Sequence, residues 1–288
     1  MHFSKSDWLT GTVFARCVSR SATLTCRMMD GASTHREDEI RNYYAALYDE
    51  WGAQHWWPAE TQFEVVVGAY LTQNTAWTNV EHALANLRNA GLLSVDGIRA
   101  VKLSRLQRLI RPSGYFRQKA ARLKTFVLFL DKHYGGSLEK LFSAPTQKVR
   151  EELLALKGVG PETADSILLY AGNHPVFVVD AYTRRILERH GILPAKADYE
   201  EIRELFQISL APVAAAYERR PENLRPPRET GIRGAAHPPS AMSTGPRTAL
   251  AQVYNEMHGL IVGVGKNYCR KSKAACNSCP LEKFLPTR

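Results

Sequence analysis

Helical spacing recurs along almost the whole chain, and the one stretch that reads as extended has no partner. "VFVVD" (Val176 to Asp180) has strand character, yet no second strand pattern pairs with it. The fold class is therefore all-α. Ile40, Tyr43, Tyr44 and Leu47 keep helical spacing from Glu37 onward. Phe63, Val66, Val67, Tyr70 and Leu71 share one face of "TQFEVVVGAYL". A pattern through Val80, Leu84 and Leu87 stops at Gly91. Short patterns at Ile98 to Val101 and Leu103 to Ile110 end at "RPSG". A longer helix is predicted from Arg117 to Tyr134, closed by Gly135-Gly136. Further helices are predicted from Asp180, from Asp198 with Glu201 completing a capping box, and over Thr248 to Val262. Residues 1–36 show no sustained period and read as a loose tail. Met28 and Met29 at its end fit a start codon placed too far upstream. Residues 221–247, rich in Pro, Gly and Arg, read as a mobile loop.

Between two of these helices stands "LKGVGPETAD", Leu156 to Asp165. Gly158-Val159-Gly160 makes a tight hairpin, in which glycine permits backbone angles closed to other residues and leaves amides uncovered. Pro161 fits the first turn of the next helix. Bare amides at a helix start attract a phosphate, so Gly158, Val159, Gly160 and Thr163 are candidate phosphate contacts. An ordinary helix-helix turn has the same look. The charge bears on the choice. The chain of 288 residues has 38 basic and 28 acidic side chains, a net +10. That surplus suits a polyanion, nucleic acid first. No apolar run reaches the length of a membrane span.

Twenty residues beyond Gly160 lies "VFVVDAYTRRIL", with Asp180 at the start of a basic helix. Together these motifs resemble the helix-hairpin-helix DNA glycosylases of the endonuclease III superfamily, over about residues 37–283. The resemblance implies two lobes with damaged double-stranded DNA in the cleft between them. A helical barrel lobe would hold 60–172. A second lobe would hold 37–59 and 173–288, including a cysteine loop at 269–279. It implies a monomer in the cytoplasm of a bacterial-type cell, at the nucleoid, with no membrane partner.

Asp180 matches the family's catalytic aspartate, which stabilises positive charge on the sugar as the base leaves. It can cap its helix as well. Members that also cut the backbone carry a lysine two residues after the second glycine, where an amine forms a Schiff base. That position is Glu162 here, and a carboxylate forms no imine; Lys157 precedes the turn and does not match. The resemblance thus implies a monofunctional enzyme. Glu162 also suits the first turn of a helix on dipole grounds alone.

"HWWPAETQFEVVVGAYLTQNTAW" places three of the five tryptophans within a short span. "WWP", "LTQNT", "RPSGYFRQKAARL" and "KGVGPETADSILLYA" are similar to the 3-methyladenine DNA glycosylase III branch. The implied base pocket is Trp56, Trp57, Pro58 and Trp77, flat surfaces for a flipped and alkylated purine. Core packing is the plain alternative. Gln73 or Asn74 would fill the gap in the duplex, with the register open by one residue. A lysine that follows the His-Gly step in that branch is Leu260 here.

Cys269, Cys276 and Cys279 match the first three positions of the superfamily's Cys-x6-Cys-x2-Cys-x5-Cys loop, which holds a four-iron cluster. The fourth position is Leu285. Three readings stay open. One is an iron-sulfur cluster with an incomplete ligand set, its fourth ligand Cys17, Cys26, His258 or nothing. The others are zinc on three cysteines and a histidine, and a loop without metal. In none of them does the metal do the chemistry. Arg270, Lys271 and Lys273 would touch phosphates. Rival functions are an endonuclease III-like pyrimidine or mismatch adenine glycosylase, and a non-catalytic helix-hairpin-helix DNA-binding protein.

Overall fold

The computed structural model describes residues 22–219 and 234–286; the side chains of 22–34, 218 and 219 are outside that description. Met1–Arg36 and Glu37–Arg288 form two units. Of the first, the described part is helical backbone from Ala22. The helix thus starts earlier than the periodicity at Glu37 suggests, because periodicity reports a buried face rather than the helix itself.

The part of α1 (Ala22–Trp51) that belongs to the second unit buries Ile40, Tyr43, Leu47 and Trp51. Their spacing of three and four is what puts them on one side. α2 (Gln62–Leu71) is buried from Phe63 to Leu71, which its unbroken apolar run demands. Thr61 starts it by accepting from the Glu64 amide at 3.1 Å. α3 (Trp77–Asn89), α4 (Val95–Ala100), α5 (Leu103–Leu109) and α6 (Phe116–Tyr134) follow. Buried Lys119 of α6 ties this group together. Its Nζ donates to Leu71 O at 2.8 Å and Ser113 O at 2.6 Å. α7 (Leu138–Phe142) and α8 (Thr146–Leu154) lead to the hairpin. α9 (Pro161–Ser166) runs on into a wider turn, Ile167–Ala171, whose residues are all buried.

Residues 173–180 are neither helix nor strand, with Asn173 at a left-handed φ of +55°, and no strand forms among the described residues. α10 (Ala181–Arg189) and α11 (Tyr199–Arg219) follow. At the start of α11, Asp198 accepts from the Glu200 amide at 2.9 Å. Part of the stretch read as a mobile loop, 221–233, lies outside the described residues. The rest is held. The Ala235 amide donates to Gln54 Oε1 at 2.8 Å, and Ser240 caps α12 (Ala241–Thr244).

α13 (Ala249–Asn267) runs past Val262 and packs against α10 and α11. Gly265 does not stop it. A Cβ there would lie 2.1 Å from Tyr182 Cδ1, so the residue serves close approach to α10.

Candidate active site

The hairpin joins α8 to α9. Gly158 has φ +83°, a left-handed value that favours glycine, and the Arg122 guanidinium lies against it. A Cβ there would sit 2.1 Å from Arg122 Nε. Gly160 differs from expectation. Its φ of −99° and ψ of 175° suit any residue, and a Cβ would meet nothing within 4 Å. Nothing among the described residues requires glycine at that point. Val159 is buried and pins the turn. The Gly158 and Gly160 amides find no acceptor among the described residues. Thr163 is buried, and its hydroxyl accepts from Gln73 Nε2 at 2.9 Å. Gln73 Nε2 also donates to Gly158 O at 3.1 Å, and Gln73 Oε1 accepts from Arg122 at 2.6 Å. So Gln73 is lashed to the hairpin, whereas Asn74 stands exposed with φ +53°. Gln73, Asn74, Gly158, Gly160 and Thr163 all line one groove of about 690 Å³ with Asp180.

A polar chain ties the hairpin to Asp180. Arg150 of α8 grips Asp165 of α9 through two bonds, at 2.7 and 3.1 Å. Tyr199 of α11 donates to Asp165 Oδ2 at 2.9 Å, and the Val179 amide donates to the Tyr199 oxygen at 3.3 Å. Val179 is the residue before Asp180. Asp165 is fully buried; burial pushes its carboxyl up, and the bonds from Arg150 and Tyr199 pull against that.

Asp180 caps α10, accepting at Oδ1 from the Thr183 amide at 2.8 Å and hydroxyl at 2.9 Å. Asp180 lines a cavity of about 300 Å³, and its Oδ2 makes no hydrogen bond among the described residues. His258 Nε2 stands 3.6 Å from it, beyond hydrogen-bond range, while His258 Nδ1 and the Tyr170 hydroxyl share a bond of 2.6 Å. Burial pushes the Asp180 carboxyl up, but His258 and Thr183 outweigh it and hold the carboxyl below the usual carboxylate range.

Trp56, Trp57 and Trp77 wall the same cavity. Trp57 stacks on Tyr170 at 5.1 Å and meets Trp77 edge-on at 4.9 Å. Pro58 does not line it, contrary to expectation: the next residue, Ala59, is tied to the start of α12, its amide donating to Ser240 Oγ at 3.2 Å and its oxygen accepting from the Met242 amide at 3.0 Å. Glu162 opens onto both cavity and groove. Its crowded surroundings and the Asp180 charge push it up to about 7. By surface area Glu162 is exposed, so solvent screens part of that repulsion.

A hairpin with free amides, tied to a carboxylate at an aromatic cavity, is an arrangement for holding a polyanion while one group enters the pocket. The model of the HhH-GPD superfamily of base excision DNA repair proteins matches residues 67–212. This chain belongs to that superfamily. It is 42% identical over 249 residues to MJ1434 of Methanocaldococcus jannaschii, named as a candidate DNA repair glycosylase. The match covers 85% of this chain and 94% of that one. The H. pylori 3-methyladenine DNA glycosylase MagIII, bound to 1,N6-ethenoadenine, has a similar structure: TM-score 0.62, 31% identity, 79% of this chain and 97% of that one. A trapped endonuclease III–DNA covalent intermediate has TM-score 0.60 at 19% identity, over 86% and 94% of the two chains, and shares the fold. The protein is therefore a DNA glycosylase of the base excision repair family, an enzyme that acts on DNA.

The superfamily's iron-sulfur loop meets an incomplete counterpart here. Cys269, Cys276 and Cys279 border a cavity of only about 20 Å³, with Leu285 and Leu281 in its wall. Arg189 donates to Cys269 Sγ at 3.3 Å. Burial, with the neighbouring Cys269 and Cys276, pushes the Cys279 thiol up to about 11. Among the described residues no group of three His, Cys, Asp or Glu is placed to hold a metal. Four thiolates hold a four-iron cluster; three thiols and a leucine around room for about one water do not fit it. His258 is not the fourth ligand, because it belongs to the Asp180 cavity. Cys17 lies outside the described residues, as does the Cys26 side chain. Arg270, Lys271 and Lys273 are exposed on the loop.

Sequence reasoning missed Tyr170, Tyr182 and Lys266, and gave His258 the wrong place. The available signal was spacing: His258, Val262 and Lys266 fall at every fourth position of α13 and all line the cavity.

Proposed function

We propose that this glycosylase is monofunctional and removes alkylated purines, 3-methyladenine-like lesions, from duplex DNA. The observation that carries the reading is one cavity shared by Asp180, three tryptophans and a carboxylate, Glu162, where lyase members place an amine. The barrel lobe, 60–172, carries the hairpin, whose Gly158 and Gly160 amides meet a phosphate. The second lobe, 37–59 and 173–288, carries Asp180. Arg270, Lys271 and Lys273 add phosphate contacts. The protein works as a monomer, and Asn74, exposed at the groove, fills the gap in the duplex while Gln73 braces the hairpin.

The flipped base stacks on aromatic faces. As the C1′–N bond lengthens, positive charge grows on the sugar and Asp180 Oδ2 opposes it. Water completes the reaction at C1′. Glu162 forms no imine, so the backbone stays whole. The H. pylori relative's alkyladenine ligand supports the purine assignment. The thiol loop favours an endonuclease III-like alternative, with oxidised pyrimidine or mismatched adenine as substrate. Among the described residues no helix is long and apolar enough to cross a membrane.

Base release from methylated duplex tests the reading. Wild type frees 3-methyladenine. Asp180→Asn lowers the rate by about 10²–10³-fold while duplex binding holds. Release at the wild-type rate by the Asn variant would take Asp180 out of the chemistry. Release of pyrimidine lesions alone would favour the alternative.

A further inference from the structure

One charged wall of the cavity has no part in that scheme. Lys266, in the last turn of α13, holds its Nζ over the Trp56 ring, 5.6 Å from the centroid. It lines the same cavity as Asp180. Glu81 and Asp180 act on it through space, and neither makes an ion pair with it among the described residues. Lys266 is exposed by surface area and a helix end favours a cation, but neither accounts for an ammonium set over the Trp56 ring at the wall of a base-sized cavity.

We propose that Lys266 sets the charge preference of the pocket, favouring alkylated purines whose base is neutral over those whose base is cationic. The inference rests on the damaged-purine reading above. In either case the C1′–N bond breaks and its electron pair goes to the base nitrogen. Water bonds to C1′ and gives up a proton. A cationic base departs neutral and requires nothing further, so that proton goes to solvent. A neutral base departs as an anion. The Lys266 ammonium donates a hydrogen bond to it, and the proton lost by water ends on the base. The same ammonium repels a cationic base as it enters. Two full charges interact more strongly than a charge and a ring quadrupole, so the aromatic walls do not cancel the repulsion.

Single-turnover release from duplexes carrying one 1,N6-ethenoadenine, which is neutral, or one 3-methyladenine, which is cationic, tests this. Lys266→Gln lowers ethenoadenine release by about tenfold or more, the loss of one charged hydrogen bond, and raises 3-methyladenine release. Lys266→Arg keeps the wild-type ratio. An equal fall for both lesions shows a merely structural residue and overturns the proposal, as does an unchanged ratio, whatever the melting midpoint. A borohydride adduct on Lys266 also overturns it, since the amine would then be a nucleophile. Should wild type free both purines with a ratio indifferent to Lys266, this inference alone fails. Should it free only pyrimidine lesions, the parent reading fails and takes this one with it.

Discussion

Around the hairpin, the polar side chains are met by partners from other elements. Gln73 holds Gly158 and Thr163, Arg150 holds Asp165, and Tyr199 links Asp165 to Val179. Around the cysteine loop, the thiols face one another, Arg189 and leucines. Both regions carry regular motifs in the sequence. The first is completed by residues far away in the chain; the second lacks a ligand and finds no distant replacement among the described residues. A motif's spacing alone does not say whether its site is assembled.

The largest expected difference between the regions is in stability. Asp165→Ala removes two charged hydrogen bonds of Arg150, which keeps its 2.6 Å bond to Glu200, and at about 1.5 kcal/mol for each lost bond costs about 3 kcal/mol in urea unfolding. A loss no larger than that of a surface substitution would show that the hairpin is not braced to Asp180 in this way. Trp77→Ala comes next. Trp77 is only half-buried, so the variant folds, and base release falls by about 1–3 kcal/mol of lost stacking while duplex binding holds. Full activity would move the pocket elsewhere.

The two glycines sharpen the comparison within the hairpin. Gly158→Ala forces a side chain into a left-handed backbone and into Arg122, costing about 1–2 kcal/mol of stability. Gly160→Ala leaves stability unchanged and weakens binding to damaged and undamaged duplex alike, because its Cβ intrudes where a phosphate sits. Normal binding by Gly160→Ala would deny that contact. The smallest effect belongs to the loop. Cys276→Ser shifts stability by less than about 0.5 kcal/mol, and a chelator leaves base release unchanged; loss of activity with chelator would restore a metal to the account.

The all-α class was readable because a face buried every three or four residues leaves a period, as at Ile40, Tyr43 and Leu47. The hairpin and Asp180 were readable because their spacing is local. α13 hid its role. It is buried on nearly every side, so no period separates the face toward Asp180 from the face toward α11. Lys266 was therefore not singled out, and His258 read as a spare ligand. The need for glycine at Gly160 was misjudged because residue type does not report φ. The tie between Tyr199 and Val179 spans two elements and leaves no local pattern.

On the proposed reading, water steered by Asp180 releases the base with no covalent enzyme–DNA intermediate. Borohydride trapping during turnover of a lesion duplex tests it most directly. The expected result is released base, an intact strand until alkali is added, and no adduct. A reduced protein–DNA adduct formed at the rate of base release would contradict it.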